Sequence, residues 1–358
     1  MEGMVMSLVK AATLMASVVL SSNVLATTIS ATDYRINYEG RHVKNWNEGN
    51  VELSWPGSSI QFEFSGTRLA VNLDGRGTQF DVMVDGEFSH ILKTSAGLAN
   101  YDLLNFPEEE EVHVEIIKRN ENYDAMIRVD SFETDGEIEG VWEQQPHILF
   151  YGDSITVGYG NESNKRECTT AEVIDTTNAR LSYASIAADE LDASRTLVAY
   201  SGLGMVRNWN GGEPYHNLPH YKNKAGSIFN TGEEYQDRHP DLVVINLGSN
   251  DFSTPLQPGE PWPDMGTFFD VWVNTYVDFI LQQRARYGDV PILMISKDWF
   301  KEPMGAVEAQ LAARNIEDVY SHYYMTEHLG CMGHPIESEH RVMADNLVKR
   351  IEELSLLD

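Results

Sequence analysis

Hydrophobic and polar positions alternate along the first third of the chain, then the alternation gives way to longer apolar runs. Val51-Glu52-Leu53-Ser54-Trp55 begins the alternation. Ser59-Ile60-Gln61-Phe62-Glu63-Phe64, Arg68-Leu69-Ala70-Val71-Asn72-Leu73 and Gln79-Phe80-Asp81-Val82-Met83-Val84 continue it. A period of two places successive side chains on opposite faces, the mark of a half-buried strand. Pro56-Gly57, Ser65-Gly66, Asp74-Gly75 and Asp85-Gly86 read as the turns between these runs. Glu111 to Lys118 and Ala125 to Phe132 add two more strands, and Pro107-Glu108-Glu109-Glu110-Glu111 reads as a solvated turn. Short alternating strands at this spacing predict an antiparallel β-sandwich over residues 27–141, with no helix of useful length.

Asp135-Gly136-Glu137-Ile138-Glu139-Gly140 marks the expected junction. Beyond it, over residues 142–358, apolar strands interleave with helical spacing. Strands are expected at Ile148–Tyr151, Leu197–Tyr200, Asp241–Leu247 and Val290–Ser296. Helices are expected at Leu181–Leu191, Phe268–Tyr287 (closed by Gly288), residues 304–316 and Ser338–Leu354. Strands apolar on both faces and alternating with helices predict a three-layer α/β domain around a parallel sheet. The chain is therefore read as two domains of different class.

Composition narrows the setting. With 55 acidic and 26 basic residues the net charge is −29, which repels nucleic acid and anionic membrane surfaces. Residues 1–26 have the form of a signal peptide: Lys10, an apolar stretch from Ala11 to Leu20, and the small-residue site Val24-Leu25-Ala26. That segment carries only Glu2 and Lys10, so its removal leaves the charge unchanged. No later stretch is long and apolar enough to span a bilayer. The expected location is secreted or periplasmic. Cys168 and Cys331 are the two cysteines, and in an oxidising compartment they form a candidate disulfide.

Candidate chemistry collects at strand ends, where sites of parallel sheets form. The strand ending at Tyr151 runs into Gly152-Asp153-Ser154-Ile155-Thr156, with Ser154 expected at a helix start where free N–H groups favour anionic charge. Ser201-Gly202-Leu203-Gly204-Met205 follows the next strand, Gly248-Ser249-Asn250-Asp251 the third, and Gly330-Cys331-Met332-Gly333-His334-Pro335 precedes the last helix. These groups suit acyl transfer. A serine hydroxyl needs a base, for which His334 is the candidate. A tetrahedral intermediate needs oxyanion donors. The Ser154 N–H, a glycine N–H from Gly202 or Gly204, and the Asn250 amide are the candidates. Asp153 and Asp251 are expected to brace loops through backbone amides. His340 is expected in a core or capping role. His42, His90 and His113 stand isolated, and His216 with His220 lack the glutamate of a helical zinc motif. No metal or other cofactor is expected.

The ordered motifs GDSIT, SGLGM, GSND and HP before a final helix resemble those of the SGNH (GDSL-type) hydrolases. Within that group the chain resembles carbohydrate esterase family 2, through Ser54 to Ile60 with Phe62, Phe64 and Gly66, Gly152 to Glu162, Ser201 to Asn208, and Gly330 to Pro335. The resemblance implies a jelly-roll sandwich joined to an SGNH domain, with Ser154 as nucleophile, His334 as base, and Asn250 and a glycine as oxyanion donors. It also implies removal of acetyl groups from xylan or glucomannan without a metal. Two departures stand out. Family members often hold Asp and an aromatic residue where this chain has Met332 and Gly333, and SGNH enzymes place Asp three residues before the histidine, at Cys331 here. The expectation is a Ser–His dyad, with His334 oriented by a backbone carbonyl or by a distant carboxylate, Glu327 or Asp298. Tyr159, Trp209 and Trp299 are the aromatic candidates for sugar contact. The substrate partner is then an acetylated oligo- or polysaccharide or a small acyl ester. A short-chain esterase indifferent to sugars and a carbohydrate-binding protein with a decayed hydrolase domain are the alternatives.

Overall fold

The strands divide between two sheets, one antiparallel and one parallel. The computed structural model describes residues 26–122, 125–141, 145–226 and 234–357. The expected signal segment falls almost wholly outside these residues, and the expected boundary at 141/142 abuts residues 142–144, also outside them.

The first sheet contains β1 (Thr27–Ser30), β2 (Asn37–Glu39), β3 (His42–Asn45), β4 (Asn50–Leu53), β5 (Ser59–Asp74), β6 (Gln79–Val84), β7 (Glu87–Lys93), β8 (Ala99–Lys118), β9 (Ile127–Thr134) and β10 (Glu137–Glu139). Its main path runs β3-β4-β9-β5-β8-β6-β7. The long strand β5 corrects the sequence reading at Ser65-Gly66, which is no turn. The register against β8 shifts between Gly66 and Arg68, a bulge within one continuous strand. The buried positions change parity across it: Ile60, Phe62 and Phe64 before, Leu69, Val71 and Leu73 after. The irregular step from Gly66 to Arg68, opposite four residues of β8, keeps both halves of β5 facing one core. Asp135 accepts the Thr67 and Arg68 N–H groups at 3.0 and 2.8 Å and so fixes the bulge. The acidic run after Pro107 also lies inside a strand, β8, where the pairing with β5 jumps from Glu110 to Asn105 and leaves the run exposed. The expected junction Asp135–Gly140 is part of this sheet, because β10 pairs with β5.

The second sheet has the order β12-β11-β13-β14-β15. Its strands are β11 (His147–Gly152), β12 (Ser194–Ala199), β13 (Leu242–Asn246), β14 (Ile292–Lys297) and β15 (Val319–Tyr324). The last, Val-Tyr-Ser-His-Tyr-Tyr, was not anticipated from sequence; it is a partly exposed edge strand without an apolar run. Helices α1 (Thr170–Thr176), α2 (Tyr183–Glu190), α3 (Leu218–Tyr221), α4 (Ser249–Phe252), α5 (Met265–Tyr287), α6 (Lys301–Ala313) and α7 (Glu337–Glu353) complete the domain. Leu149 and Tyr151 of β11 pack with α5 and α6 residues such as Trp272, Tyr276 and Met304. Ile148 and Phe150 pack with Ala184, Ala187, Met343 and Leu347 of α2 and α7. The alternation of the strand thus feeds both helical layers. β11 pairs with β12 on one side and β13 on the other, so the chain leaves it in opposite directions, which opens a crevice at their C-terminal ends.

The two halves interlock. Trp55, fully buried, sits in the core of the second half and meets Tyr221 edge to face at 6.2 Å. Arg41, also fully buried, binds Asp237 through Nε and Nη2 at 2.7 and 2.8 Å.

Candidate active site

The fully buried strand β11 delivers Ser154 to the crevice. Gly152 is required there for space, since a Cβ would stand 1.9 Å from Thr156 Oγ1. The expected helix after Ser154 does not form; residues 154–162 are turns, and α1 begins only at Thr170. The local closure is one loop, in which the Tyr159 N–H donates to the Ser154 carbonyl at 3.0 Å. The Ser154 N–H makes no hydrogen bond among the described residues and remains available.

His334 leaves a short 3-10 turn, Cys331–Gly333, just before α7. Its Nε2 stands 2.8 Å from Ser154 Oγ, and its Nδ1 stands 3.0 Å from the Cys331 carbonyl oxygen. A carbonyl only accepts, so Nδ1 carries the proton and Nε2 offers its lone pair to the serine hydroxyl. Burial pushes the imidazole down to about 4, with Lys297 and His328 adding to the effect and the Cys331 hydrogen bond opposing it. The ring lies 4.6 Å from that of Tyr159. No carboxylate is among its hydrogen-bond partners. Asp298 pairs with Lys301, and Glu327 meets Arg166 and Glu339 through its backbone. Neither is placed as a third member.

The turn bearing His334 is braced from three directions. Cys168 and Cys331 are joined as a disulfide. Arg166 donates to the carbonyls of His328 and Glu327 at 2.9 and 2.7 Å. Glu339 accepts the N–H groups of Glu327, His328, Leu329 and Ile336 at 2.6 to 3.1 Å. Met332 takes φ of 53°, a costly value for a side-chain-bearing residue that this bracing sustains. Glu339 was not singled out from sequence; a Glu at the third position of a helix, after a loop, was the available signal.

The remaining candidates divide. Gly204 donates its N–H to Asn208 Oδ1 at 3.0 Å and is engaged in this structure. Its role is spatial, because a Cβ would lie 2.0 Å from the Arg207 carbonyl oxygen. Gly202 has φ of 84°, its carbonyl accepts the Trp209 N–H at 2.9 Å, and its own N–H has no partner among the described residues. Asn250, on the short helix α4 after β13, is buried and directs Nδ2 to the Leu203 carbonyl at 2.9 Å and to Asp153 Oδ2 at 3.3 Å. Asp251 accepts the N–H groups of Met205, Val206 and Arg207 at 2.8 to 2.9 Å and so shapes the Gly202 loop. Burial, first, raises both Asp153 and Asp251 to about 6. Trp209 and Trp299 are 58% and 62% exposed, large apolar faces on loops at this sheet edge. His340 is fully buried and its Nδ1 accepts the Tyr183 N–H at 3.1 Å at the start of α2. His216 and His220 touch ring to ring at 5.1 Å, and no group of metal-ligating residues occurs among the described residues. A polar cavity of about 760 Å³ lies between the two halves at His147 and Ser194. These residues begin β11 and β12, roughly 17 Å along the strands from the serine loop at the usual rise per residue.

Both halves of the chain have known relatives. Residues 38–139 match the carbohydrate esterase 2 N-terminal family, and residues 150–326 match the GDSL-like lipase/acylhydrolase family. The acetylxylan esterase / glucomannan deacetylase of Cellvibrio japonicus is 29% identical over 310 residues, covering 84% of this chain and 85% of that protein. The structure of a family two carbohydrate esterase from Cellvibrio japonicus superposes with a TM-score of 0.79 at 26% identity, covering 93% of this chain and 99% of that one. A family two carbohydrate esterase from Clostridium thermocellum in complex with cellohexaose gives a TM-score of 0.78 at 26% identity, covering 90% and 100%. With both halves matched in order by sequence and by structure, the chain is a carboxylic ester hydrolase of the SGNH/GDSL type and belongs to carbohydrate esterase family 2.

Proposed function

We propose that this esterase is exported and removes O-acetyl groups from xylan, glucomannan or related acetylated sugars through an acyl-enzyme on Ser154. The observation that carries the mechanism is the 2.8 Å contact between Ser154 Oγ and a His334 Nε2 whose tautomer is set by the Cys331 carbonyl. As Oγ attacks the acetyl carbonyl, its proton passes to Nε2. The oxyanion collects hydrogen bonds from the N–H groups of Ser154 and Gly202 and from Asn250 Nδ2, which exchanges its longer contact with Asp153 for the substrate. The intermediate collapses by breaking the bond to the sugar oxygen, which leaves with the proton from His334. Water then attacks the acetyl-serine, His334 takes its proton, and acetate departs as the proton returns to Ser154. The work divides between a Ser–His dyad and three oxyanion donors, with no carboxylate third member. Trp209 and Trp299 offer exposed rings for stacking against sugar faces, which supports a carbohydrate substrate over a simple ester.

Ser154→Ala and His334→Ala each abolish release of acetate from acetylated xylan, acetylated glucomannan and p-nitrophenyl acetate under this reading. Full activity in either variant refutes the assignment. Sequencing the N-terminus of the protein recovered outside the cell tests export and cleavage after Ala26.

A further inference from the structure

We propose that Glu121, contributed by the N-terminal sheet, is a positioning residue for the esterase reaction: its carboxylate locks Ser201 and thereby holds the Gly202 N–H ready for the oxyanion. This rests on the reading of Ser154 and Gly202 given above. Glu121 lies just beyond the end of β8 and is 8% exposed. It receives the Ser201 N–H on Oε1 at 2.5 Å and the Ser201 hydroxyl on Oε2 at 2.7 Å. Both oxygens therefore grip a single residue, the one before Gly202. On the far side of Gly202, the Trp209 N–H grips its carbonyl at 2.9 Å. The Gly202 N–H lies between these two anchors. Without them, a glycine at φ of 84° has wide freedom to rotate that peptide away.

The support reaches back into the first domain. Arg119, fully buried two residues earlier, pairs with Asp81 and with Glu162, and its carbonyl accepts the Ala179 N–H at 2.9 Å. Asn120 Oδ1 accepts the Gln79 N–H at 3.0 Å. The corner carrying Glu121 is thus pinned to β6 on one side and to the second domain on the other. A carboxylate taken this far from water is costly unless its hydrogen bonds are well made. Burial raises Glu121 to about 7, the Ser201 bonds and Lys118 draw it down, and Asp153 raises it further. Tyr159, beside His334, feels the same carboxylate. Glu121 therefore ties the Gly202 loop to the N-terminal sheet, and the hydrolase domain depends on its partner domain for an ordered oxyanion site.

The test measures kcat and KM of the full chain for p-nitrophenyl acetate and an acetylated xylo-oligosaccharide, with thermal melts as a control on folding. Loss of a direct oxyanion donor costs about 100- to 1,000-fold in kcat, so a residue that only orders one donor is expected to cost about 10- to 100-fold. Glu121→Ala lowers kcat by that amount with KM nearly unchanged, because the donor acts on the transition state. Glu121→Gln keeps an acceptor for the Ser201 N–H and recovers most of the loss. Ser201→Ala, which removes one of the two bonds, falls between wild type and Glu121→Ala. Unchanged kcat in folded Glu121→Ala overturns the inference. A rise in KM together with a fall in melting temperature that Glu121→Gln fails to rescue also overturns it, by showing a structural role alone. If Glu121→Ala does not fold, Glu121→Gln and Ser201→Ala decide: wild-type kcat in both refutes the proposal, and a kcat-only loss in Ser201→Ala supports it. Ser154→Ala, run alongside, separates the two readings. An active Ser154→Ala removes the site assignment itself, whereas a dead Ser154→Ala beside a fully active Glu121→Ala removes only the role of Glu121.

Discussion

The carbonyl oxygen of Cys331 lies 3.0 Å from Nδ1 of His334. It occupies the place that an aspartate would take in a Ser-His-Asp triad. A carbonyl enforces the same tautomer as a carboxylate, since it can only accept. It brings only partial negative charge, so it stabilises the imidazolium less. Cys331 is also the residue at the position where the acid is expected. In the proposed dyad the main chain takes over the acid's orienting task, and the disulfide to Cys168 joins that stretch of main chain to the segment before α1.

Met332→Asp tests this substitution of backbone for side chain. Met332 is 57% exposed and takes φ of 53°, a conformation that Asp tolerates better than most residues. Because Nδ1 already has its acceptor, the new carboxylate finds no vacant hydrogen bond to fill. The variant is expected to keep kcat within about threefold of wild type, the scale of a small electrostatic change. A gain of a hundredfold would mean that the carbonyl is a poor orienter and that the dyad is a crippled triad.

A contrast among four acidic residues follows from the bracing of the histidine turn. Glu339 holds four backbone N–H groups of the segment that carries His334, whereas Asp298 and Glu327 have no carboxylate contact with the imidazole. Asp298→Ala and Glu327→Ala are expected to leave kcat within about twofold, in the range of exposed charges. Glu339→Ala leaves four donors to find water and costs about 10-fold in kcat, together with about 2 kcal/mol of stability. Steady-state kinetics and urea melts of the three variants check this order. Glu121 is the fourth acid, and it acts on the oxyanion side instead.

What the sequence reveals about this site depends on whether the relevant partner is close in the chain. Ser154, Asn250 and His334 are legible because each sits in a short motif at the end of an apolar strand or before a helix. The proposed preference for Gly202 over Gly204 is not, because it rests on the Asn208 side chain, which no spacing rule places on the Gly204 N–H. Glu121 is invisible for the same reason in stronger form: it meets Ser201 from 80 positions away. In the first domain, the alternation correctly marks strands, yet Ser65-Gly66 looks like a turn and is a bulge. The change in parity from Phe64 to Leu69 held that information. The edge strand Val319–Tyr324 escapes the search for apolar runs because an edge strand need not be apolar throughout.

The two exposed tryptophans allow the proposed sugar recognition to be tested apart from ester chemistry. Trp209 is tied to the Gly202 loop through its backbone, and Trp299 stands on the turn after β14. Among the described residues, neither side chain makes a hydrogen bond to Ser154 or His334 or a ring contact with His334. Trp209→Ala and Trp299→Ala are expected to raise KM for acetylated glucomannan or xylan by about 5- to 10-fold each, equivalent to roughly 1 kcal/mol of lost ring contact. Turnover of p-nitrophenyl acetate stays near wild type. Equal losses on both substrates would show that these side chains shape the catalytic loops, with no part in holding sugar.

The pH dependence of kcat/KM reports the base in the free enzyme. Burial lowers His334 to about 4 from an ordinary value of 6.5. A group shifted down in this way stays neutral, and able to take the serine proton, until the pH falls toward that lower value. Activity is therefore expected to persist well below pH 6 and to decline with a midpoint near 4. Two neighbours provide the internal check. Burial raises Asp153 to about 6 and Glu121 to about 7, so their charges disappear at higher pH than the base is lost. A single acid limb near 4 means that His334 alone governs the profile. A step near 7 that is absent in Glu121→Gln means that ionised Glu121 is needed to order the oxyanion loop. A limb near 6.5 in both proteins means that substrate-free His334 is solvated, contrary to the tight packing of its ring against Tyr159.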